Sequence, residues 1–306
     1  MKYSLSFPAD QVEQVDEFCT GEAVMEMARA AEAAGFDAVD VTEHPFPSRV
    51  GPNMGGHHAL DPAMCLAFAA AATTRLKVRF NAFVVPYRNP FLAAKTLGDL
   101  DVLSGGRVIA GVAPGYLEGE FLALGVPLAT RGALLDEALV AMKAAWTGEP
   151  IDLESSRWSA HGNVMLPRPV QRPHPPIWIG GNSVHAIRRT IEHAQGWMPF
   201  PARPNEAVAV RTASIPDITE LATRIELLRK QREAAGRTDP LDICMTPFTH
   251  QHHPRGQENY DPPVLLDEAA RLSELGVTWL SIKLRSPDRA TFLANIDRFA
   301  NDVVGR

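Results

Sequence analysis

The sequence predicts an α/β protein, a (β/α)8 TIM barrel with insertions after some of its strands. Three observations predict it. Short apolar strand-like runs alternate with helix-like runs along most of the chain, as a parallel sheet with helical crossovers requires. Roughly eight such units fit into 306 residues, a length at which eight parallel strands close into a barrel. The first strand–helix turn reads FPADQVEQ, without the G-x-G-x-x-G fingerprint of a doubly wound dinucleotide-binding sheet.

The elements follow in order. Residues 3–7 alternate as a strand, and Thr20 caps a helix that stops at Gly35. Residues 38–41 form a short apolar strand. Asp61 and Pro62 open an alanine-rich helix to about residue 72, with proline at the favoured first position. Residues 76–85 are the third strand. Asn89 and Pro90 start a helix with Ala93, Leu97 and Leu100 on one face, ended by Gly105 and Gly106. Residues 108–112 are the fourth strand, followed by a loop-rich stretch to Thr130. Residues 131–146 form a helix with a Leu135, Ala138, Met142 stripe, stopped by Gly148.

The second half repeats the rhythm. Residues 177–179 are a strand ending in Gly180 and Gly181, and a helix opens at Asn182 or Ser183. Residues 196–198 make a very short strand. Asp217, with Glu220 resembling a capping box, opens a helix to residue 235. Residues 241–245 are a strand, and Asp261 and Pro262 open a helix ending at Gly276. Residues 277–282 are the last strand, and Ser286 and Pro287 open the last helix. The whole chain, 1–306, reads as one domain. Residues 149–176 interrupt it and read as a hairpin plus an extended proline-rich arm, either a cover for a ligand or a surface excursion.

Composition excludes several classes. Net charge is −6 with the basic residues scattered, so no tract points to nucleic acid or an anionic membrane. The longest fully apolar run, residues 63–72, is ten residues, too short to span a bilayer. The N-terminal MKYSLSFPADQ has no apolar core of a signal peptide. Cys19, Cys65 and Cys244 are far apart and odd in number, which fits a reducing cytoplasm better than disulfides or a zinc site.

A barrel carries its active site at the C-terminal ends of its strands. That rule selects Glu43 and His44 after the second strand, and Asn81, Ala82, Phe83, Tyr87 and Arg88 after the third. It selects Pro114, Gly115, Tyr116, Glu118 and Glu120 after the fourth. His44 is the candidate acid/base group, because imidazole titrates near neutrality. Glu118 and Glu120 read either as a carboxylate pair or as a polar helix start. Gly180, Gly181, Asn182 and Ser183 place backbone N–H groups at a helix N-terminus, which reads as an anion site or as an ordinary strand–helix turn. Phe46, His58, Tyr87 and Trp197 are the expected substrate-pocket walls. His57, His58, His250, His252 and His253 lack the spacing of a metal-ligand set, and no metal is expected. No G-x-S-x-G marks a serine nucleophile.

Four blocks, AEAAGFDAVDVTEHP, PYRNPFLAAKTLGDLDVLSGGRVIAGVAPGYLEGEF, ALLDEALVAMKAAWTGEP and RPVQRPHPPIWIGGNS, give the chain a specific likeness. Over residues 3–199 it resembles the luciferase-like monooxygenase superfamily, and within it the oxidoreductases that use the deazaflavin coenzyme F420. The resemblance implies a TIM barrel, two-electron chemistry on a flavin-like ring across the barrel mouth, and a small organic substrate. It places the cofactor phosphate at Gly180, Gly181, Asn182 and Ser183. It places the ring against Asn81, Ala82, Phe83, Gly115 and Tyr116, with a non-proline cis bond at Ala82–Phe83 and His44 beside the ring. It also implies a homodimer. Some relatives carry a carboxylate in the turn after the fourth strand, where this chain has Pro114, Gly115 and Tyr116. That departure speaks against a sugar-phosphate substrate. F420 is the leading cofactor and FMN, with monooxygenation, the alternative. A cofactor-binding protein without catalysis is the reading from another class.

Overall fold

The computed structural model describes residues 1–50, 57–251 and 259–304. Eight parallel barrel strands close on themselves. They are β1 (Lys2–Ser6), β2 (Ala38–Val41), β3 (Lys77–Phe80) continued by β4 (Phe83–Val84), β5 (Val108–Ala113), β8 (Ile177–Gly180), β9 (Gly196–Met198), β10 (Asp242–Met245) and β11 (Trp279–Ile282). Between β5 and β8 lie β6 (Ile151–Glu154) and β7 (Ser159–Asn163). β1 pairs with both β2 and β11, and β5 pairs with β3, β4 and β8, so the ring has no open edge. The sheet is a closed (β/α)8 barrel, as the alternation predicted.

The helices between strands start where capping chemistry places them. They are α1 (Gly21–Ala33), α2 (Pro62–Ala71), α3 (Pro90–Leu103), α4 (Glu118–Ala123), α5 (Arg131–Ala145), α6 (Val184–His193), α7 (Pro204–Ala209), α8 (Ile218–Ala234), α9 (Phe248–Gln251), α10 (Pro262–Glu274) and α11 (Arg289–Phe299). Thr20, Asp61, Asn89, Ser183, Asp217 and Asp261 each accept a backbone N–H of the first helical turn. None of the helices among the described residues is long and apolar enough to cross a membrane.

Three details differ from the sequence reading. The last helix is capped by Asp288, whose carboxylate accepts the Thr291 N–H at 2.7 Å. Ser286 is instead buried under Asn295, which donates to its hydroxyl. The third strand breaks in two at a cis Asn81–Ala82 bond, one residue before the expected Ala82–Phe83. The stretch after β5 contains α4, which the loop-rich composition concealed. Residues 149–176 do contain a hairpin, β6 paired antiparallel with β7.

The barrel interior is apolar toward the N-terminal ends of the strands, where Ala38, Trp178 and Trp279 pack, and polar in the layer above them. Asp40 and Arg79 are almost fully buried and meet at 2.6 Å. Ser4 and Ser6 donate to Asp40, and Ser281 accepts from Arg79. Asn81 also donates to Asp40, at 2.9 Å, so this layer is tied to the site above it. Burial works most strongly against the Asp40 charge, but Arg79 and the hydroxyl and amide donors together outweigh it and hold the carboxyl below the usual range. Gly111 sits where strands approach most closely. A Cβ there would lie 1.9 Å from the Phe80 carbonyl oxygen, so only glycine fits.

Candidate active site

A cavity of about 890 Å³ opens at the C-terminal ends of the strands. This is ample for a cofactor-sized ligand. Two chemically distinct ends can be read from its walls.

One end is built by β2, β4 and α4. β2 is buried along its length, so the chain beyond Val41 emerges at the mouth and delivers Glu43 and His44 there. His44 lines the cavity and is 7% exposed. Its Nδ1 lies 3.4 Å from Glu120 Oε2. Glu120 is fully buried, and it also accepts from Tyr87 Oη at 2.7 Å and from the Phe46 N–H at 3.3 Å. Burial works against its charge. The hydrogen bonds from His44 and Tyr87 outweigh that cost and hold Glu120 below the usual carboxylate range. An ionised Glu120 fixes the proton of neutral His44 on Nδ1, which leaves Nε2 as the acceptor. Burial, and then Glu120, push the Tyr87 and Tyr116 hydroxyls up. Both phenols stay protonated donors.

Glu43 supports this end from behind. It is buried, it pairs with Arg88, and it accepts the Val84 N–H at 2.5 Å. Burial raises its carboxyl despite the Arg88 charge. Arg88 lies over the Phe83 ring at 3.9 Å, so Glu43 anchors the segment just past the cis bond.

The other end is cationic. Arg131, Arg188, Arg189 and Arg211 line it, with Asp136 as the acid of that wall. Asp136 is shared between Arg188 at 2.7 Å and Arg189 at 2.6 Å. Arg211 pairs with Glu118. Among the described residues Arg131 has no carboxylate partner. It donates to the Leu128 carbonyl at 3.1 Å. Burial, then its neighbours Arg211 and Arg189, push its guanidinium down. Gly180, Gly181, Ser183 and Thr212 line the same end.

The backbone there is less bare than the sequence implied. The Gly181 N–H donates to the Met198 carbonyl at 3.2 Å and the Asn182 N–H to Thr212 Oγ1 at 3.0 Å. Ser183 caps α6 through the Ala186 N–H. Two N–H groups of the turn are thus already bonded within the protein, and the positive charge of this end comes from the arginines.

The expected site residues fall into two groups. His44, Asn81, Ala82, Tyr87, Gly115, Tyr116, Gly180, Gly181 and Ser183 all line the cavity. Phe83 is buried against Phe80 and does not line it. Asn182 is fully buried, its side chain bonded to Phe200 and Ala213, and acts as a brace behind the turn. Trp197 is fully buried and donates to the Gly181 carbonyl at 2.8 Å, a second brace. Phe46 is 67% exposed and lies outside the wall. His58 lines a smaller neighbouring cavity, where Arg49 donates to it. His250 accepts the Lys283 N–H, and His252 and His253 lie outside the described residues.

Sequence reasoning missed Arg131, Arg188, Arg189 and Arg211, and left Glu120 undecided. One signal was available for Arg131. It sits at the first position of α5, the positive end of the helix dipole, where a cation is locally unfavourable.

The family model for luciferase-like monooxygenases matches residues 1–257. The chain belongs to the luciferase-like monooxygenase family. An uncharacterized protein of Mycobacterium tuberculosis is 28% identical over 300 residues, covering 92% of this chain and 94% of that protein. The FMNH(2)-dependent dimethylsulfone monooxygenase of Pseudomonas putida is 31% identical over 174 residues, covering 56% of this chain and 46% of that protein. Among solved structures, the monooxygenase RslO1 of Streptomyces bottropensis superposes with a TM-score of 0.78 at 21% identity, covering 100% of this chain and 99% of that one. The coenzyme F420-dependent tetrahydromethanopterin reductase of Methanopyrus kandleri gives 0.73 at 16% identity, covering 99% and 98%. Members of this family, an FMNH(2)-dependent monooxygenase among the relatives, are oxidoreductase enzymes.

Proposed function

We propose that this luciferase-like protein is an F420-dependent oxidoreductase that exchanges hydride between the bound deazaflavin and a small organic substrate. The observation that carries the reading is the arginine cluster, with Arg131 lacking an acid partner among the described residues and Arg188 and Arg211 reaching the half-exposed rim. Such a cluster suits a phosphodiester followed by an acidic tail, as in F420, more than a lone terminal phosphate. Gly180, Gly181, Ser183 and Thr212 would hold the phosphate beside Arg131. Asn81, Ala82, Gly115 and Tyr116 would flank the ring. When bound, the deazaflavin supplies or accepts the hydride.

The chain's own work is proton handling and exclusion of water. His44 gives or takes the proton on the substrate oxygen at Nε2, while Glu120 orients the ring and balances the imidazolium that forms. Glu120 puts a carboxylate on His44, although the Pro114–Gly115–Tyr116 turn itself carries none. That position speaks for catalysis over cofactor sequestration. The closed ring of strands from β1 to β11 supports one domain, and three free cysteines fit a reducing cytoplasm. The exposed Met64, Phe68 and Leu92 of α2 and α3 suit a second copy of the chain.

FMN is the second reading, favoured by the dimethylsulfone monooxygenase likeness. Equilibrium dialysis against both cofactors separates them. Micromolar binding of F420 and weaker binding of FMN is the expected result. Micromolar binding of FMN alone overturns the assignment.

A further inference from the structure

We propose that His57 relays the proton of His44 to solvent, with Asp10 orienting it. The catalytic use of this relay rests on the oxidoreductase reading, in which His44 changes protonation at each turnover.

The groups stand in sequence from the buried ring to solvent. The His44 and His57 rings meet edge to face with centroids 4.6 Å apart. His57 lines the main cavity and also a smaller one of about 360 Å³, whose walls include Asp10, Gln14, Ser48 and Arg49. The His57 side chain is 48% exposed, so it touches both the buried His44 and solvent. Its Nε2 lies 3.8 Å from Asp10 Oδ2. That gap is too long for a direct hydrogen bond, and one bridging water or a small ring movement closes it. Lys283 holds the same Asp10 oxygen at 2.6 Å. Asp10 Oδ1 is buried and lacks a hydrogen-bond partner among the described residues. A buried acceptor left open beside an imidazole is costly unless a proton donor visits it.

The charges fit transit rather than storage. Burial, then the neighbouring His44 and Lys283, push the His57 imidazole down, while Asp10 and Glu120 pull it up. Reaching both the His44 ring and solvent, His57 passes on a proton it receives. An N–H bond of His44 breaks as one forms on His57, and His57 then yields the proton to water or a buffer base. No electrons move, and no co-reactant beyond water is needed.

His57→Gln keeps the shape of the loop and removes the relay. With a substrate turned over by the wild type, this variant should lose about tenfold in steady-state rate in weak buffer. Added imidazole should restore the rate, which a structural defect would not allow. Equal rates in wild type and variant at all buffer strengths overturn the proposal, as does a loss that imidazole leaves untouched. Should the wild type turn over with neither F420 nor FMN, the oxidoreductase reading fails by itself. The relay is then judged by the NMR titration of His57 in the ligand-free protein. Its midpoint should rise in His44→Asn and fall in Asp10→Asn, and a midpoint unmoved by both changes overturns the coupling.

Discussion

Glu120 Oε2 stands 3.4 Å from His44 Nδ1, although 76 residues separate the two in the chain. His44 comes off β2 and Glu120 off α4, and barrel closure brings β2 and β5 to the same mouth. The pair gives the site a ring nitrogen of defined protonation facing the cavity.

Replacing His44 with alanine should lower kcat by about 10²- to 10⁴-fold, the range of a general acid–base group. Glu120→Gln should cost less, about 10- to 100-fold, since the ring remains and only its orientation and charge balance suffer. Cofactor affinity should change little in either. The double variant should fall no further than His44→Ala alone, because the two act as a unit. Turnover equal to wild type in His44→Ala would remove its proposed role.

Arg131→Gln should weaken cofactor binding by about 10- to 100-fold, as expected for a charge-assisted hydrogen bond of roughly 1.5–3 kcal/mol. The wild-type affinity should fall with added salt, and the variant should respond less. Titration of F420, FMN and inorganic phosphate at two salt concentrations checks this. Unchanged affinities for all three would move the anion away from α5.

Gly181→Val probes the other side of the same end. Gly181 has φ of +116°, and a Cβ there would meet only ordinary contacts from Ala186 and Thr212. The cost is therefore backbone strain, about 1–3 kcal/mol, read as a lower midpoint in urea together with weaker cofactor binding. Gly111→Ala is the contrast. With backbone oxygen 1.9 Å from the new Cβ, it should prevent a stable barrel from forming, seen as loss of the cooperative transition.

Asp40 and Glu120 both have carboxyls held below the usual range. Their stabilisation is complete above the unfolded carboxylate range near ~4 and is lost as pH falls through the lower folded values. Glu43 is raised and works in the opposite direction. It favours the fold below its unfolded value and loses that contribution as pH rises through its folded one. Asp40→Asn should cost about 3–5 kcal/mol at pH ~7, because Arg79 is left buried without its counter-ion. The difference from wild type should shrink at pH ~3, which lies below the unfolded carboxylate range near ~4. Urea unfolding at both pH values measures it. An equal cost at both would show that charge is not what Asp40 contributes.

Local chemistry was readable wherever it acts over a few residues. Thr20, Asp61, Asn89, Asp217 and Asp261 were legible as caps because a cap needs only the next turn of chain. The last helix misled because Ser286–Pro287 and Asp288 offer competing starts, and only the packing of Asn295 on Ser286 decides between them. Glu118 and Glu120 looked alike in the sequence. Two positions apart on a helix they face nearly opposite ways, and which of them faces inward depends on how α4 docks. The outcome is Glu118 at the rim on Arg211 and Glu120 buried under His44.

By itself the sequence determined the closed barrel, its order of strands and helices, and His44 at a strand end. Periodicity, caps and chain length are properties of neighbouring residues, and they suffice for that. The tertiary structure alone decided which distant charges meet. It placed Glu120 on His44, moved Asn182 and Trp197 from the wall to the bracing behind it, and gathered Arg131, Arg188, Arg189 and Arg211 around the Gly181 turn. Burial and charge pairing depend on separations through space that no local pattern in the chain encodes.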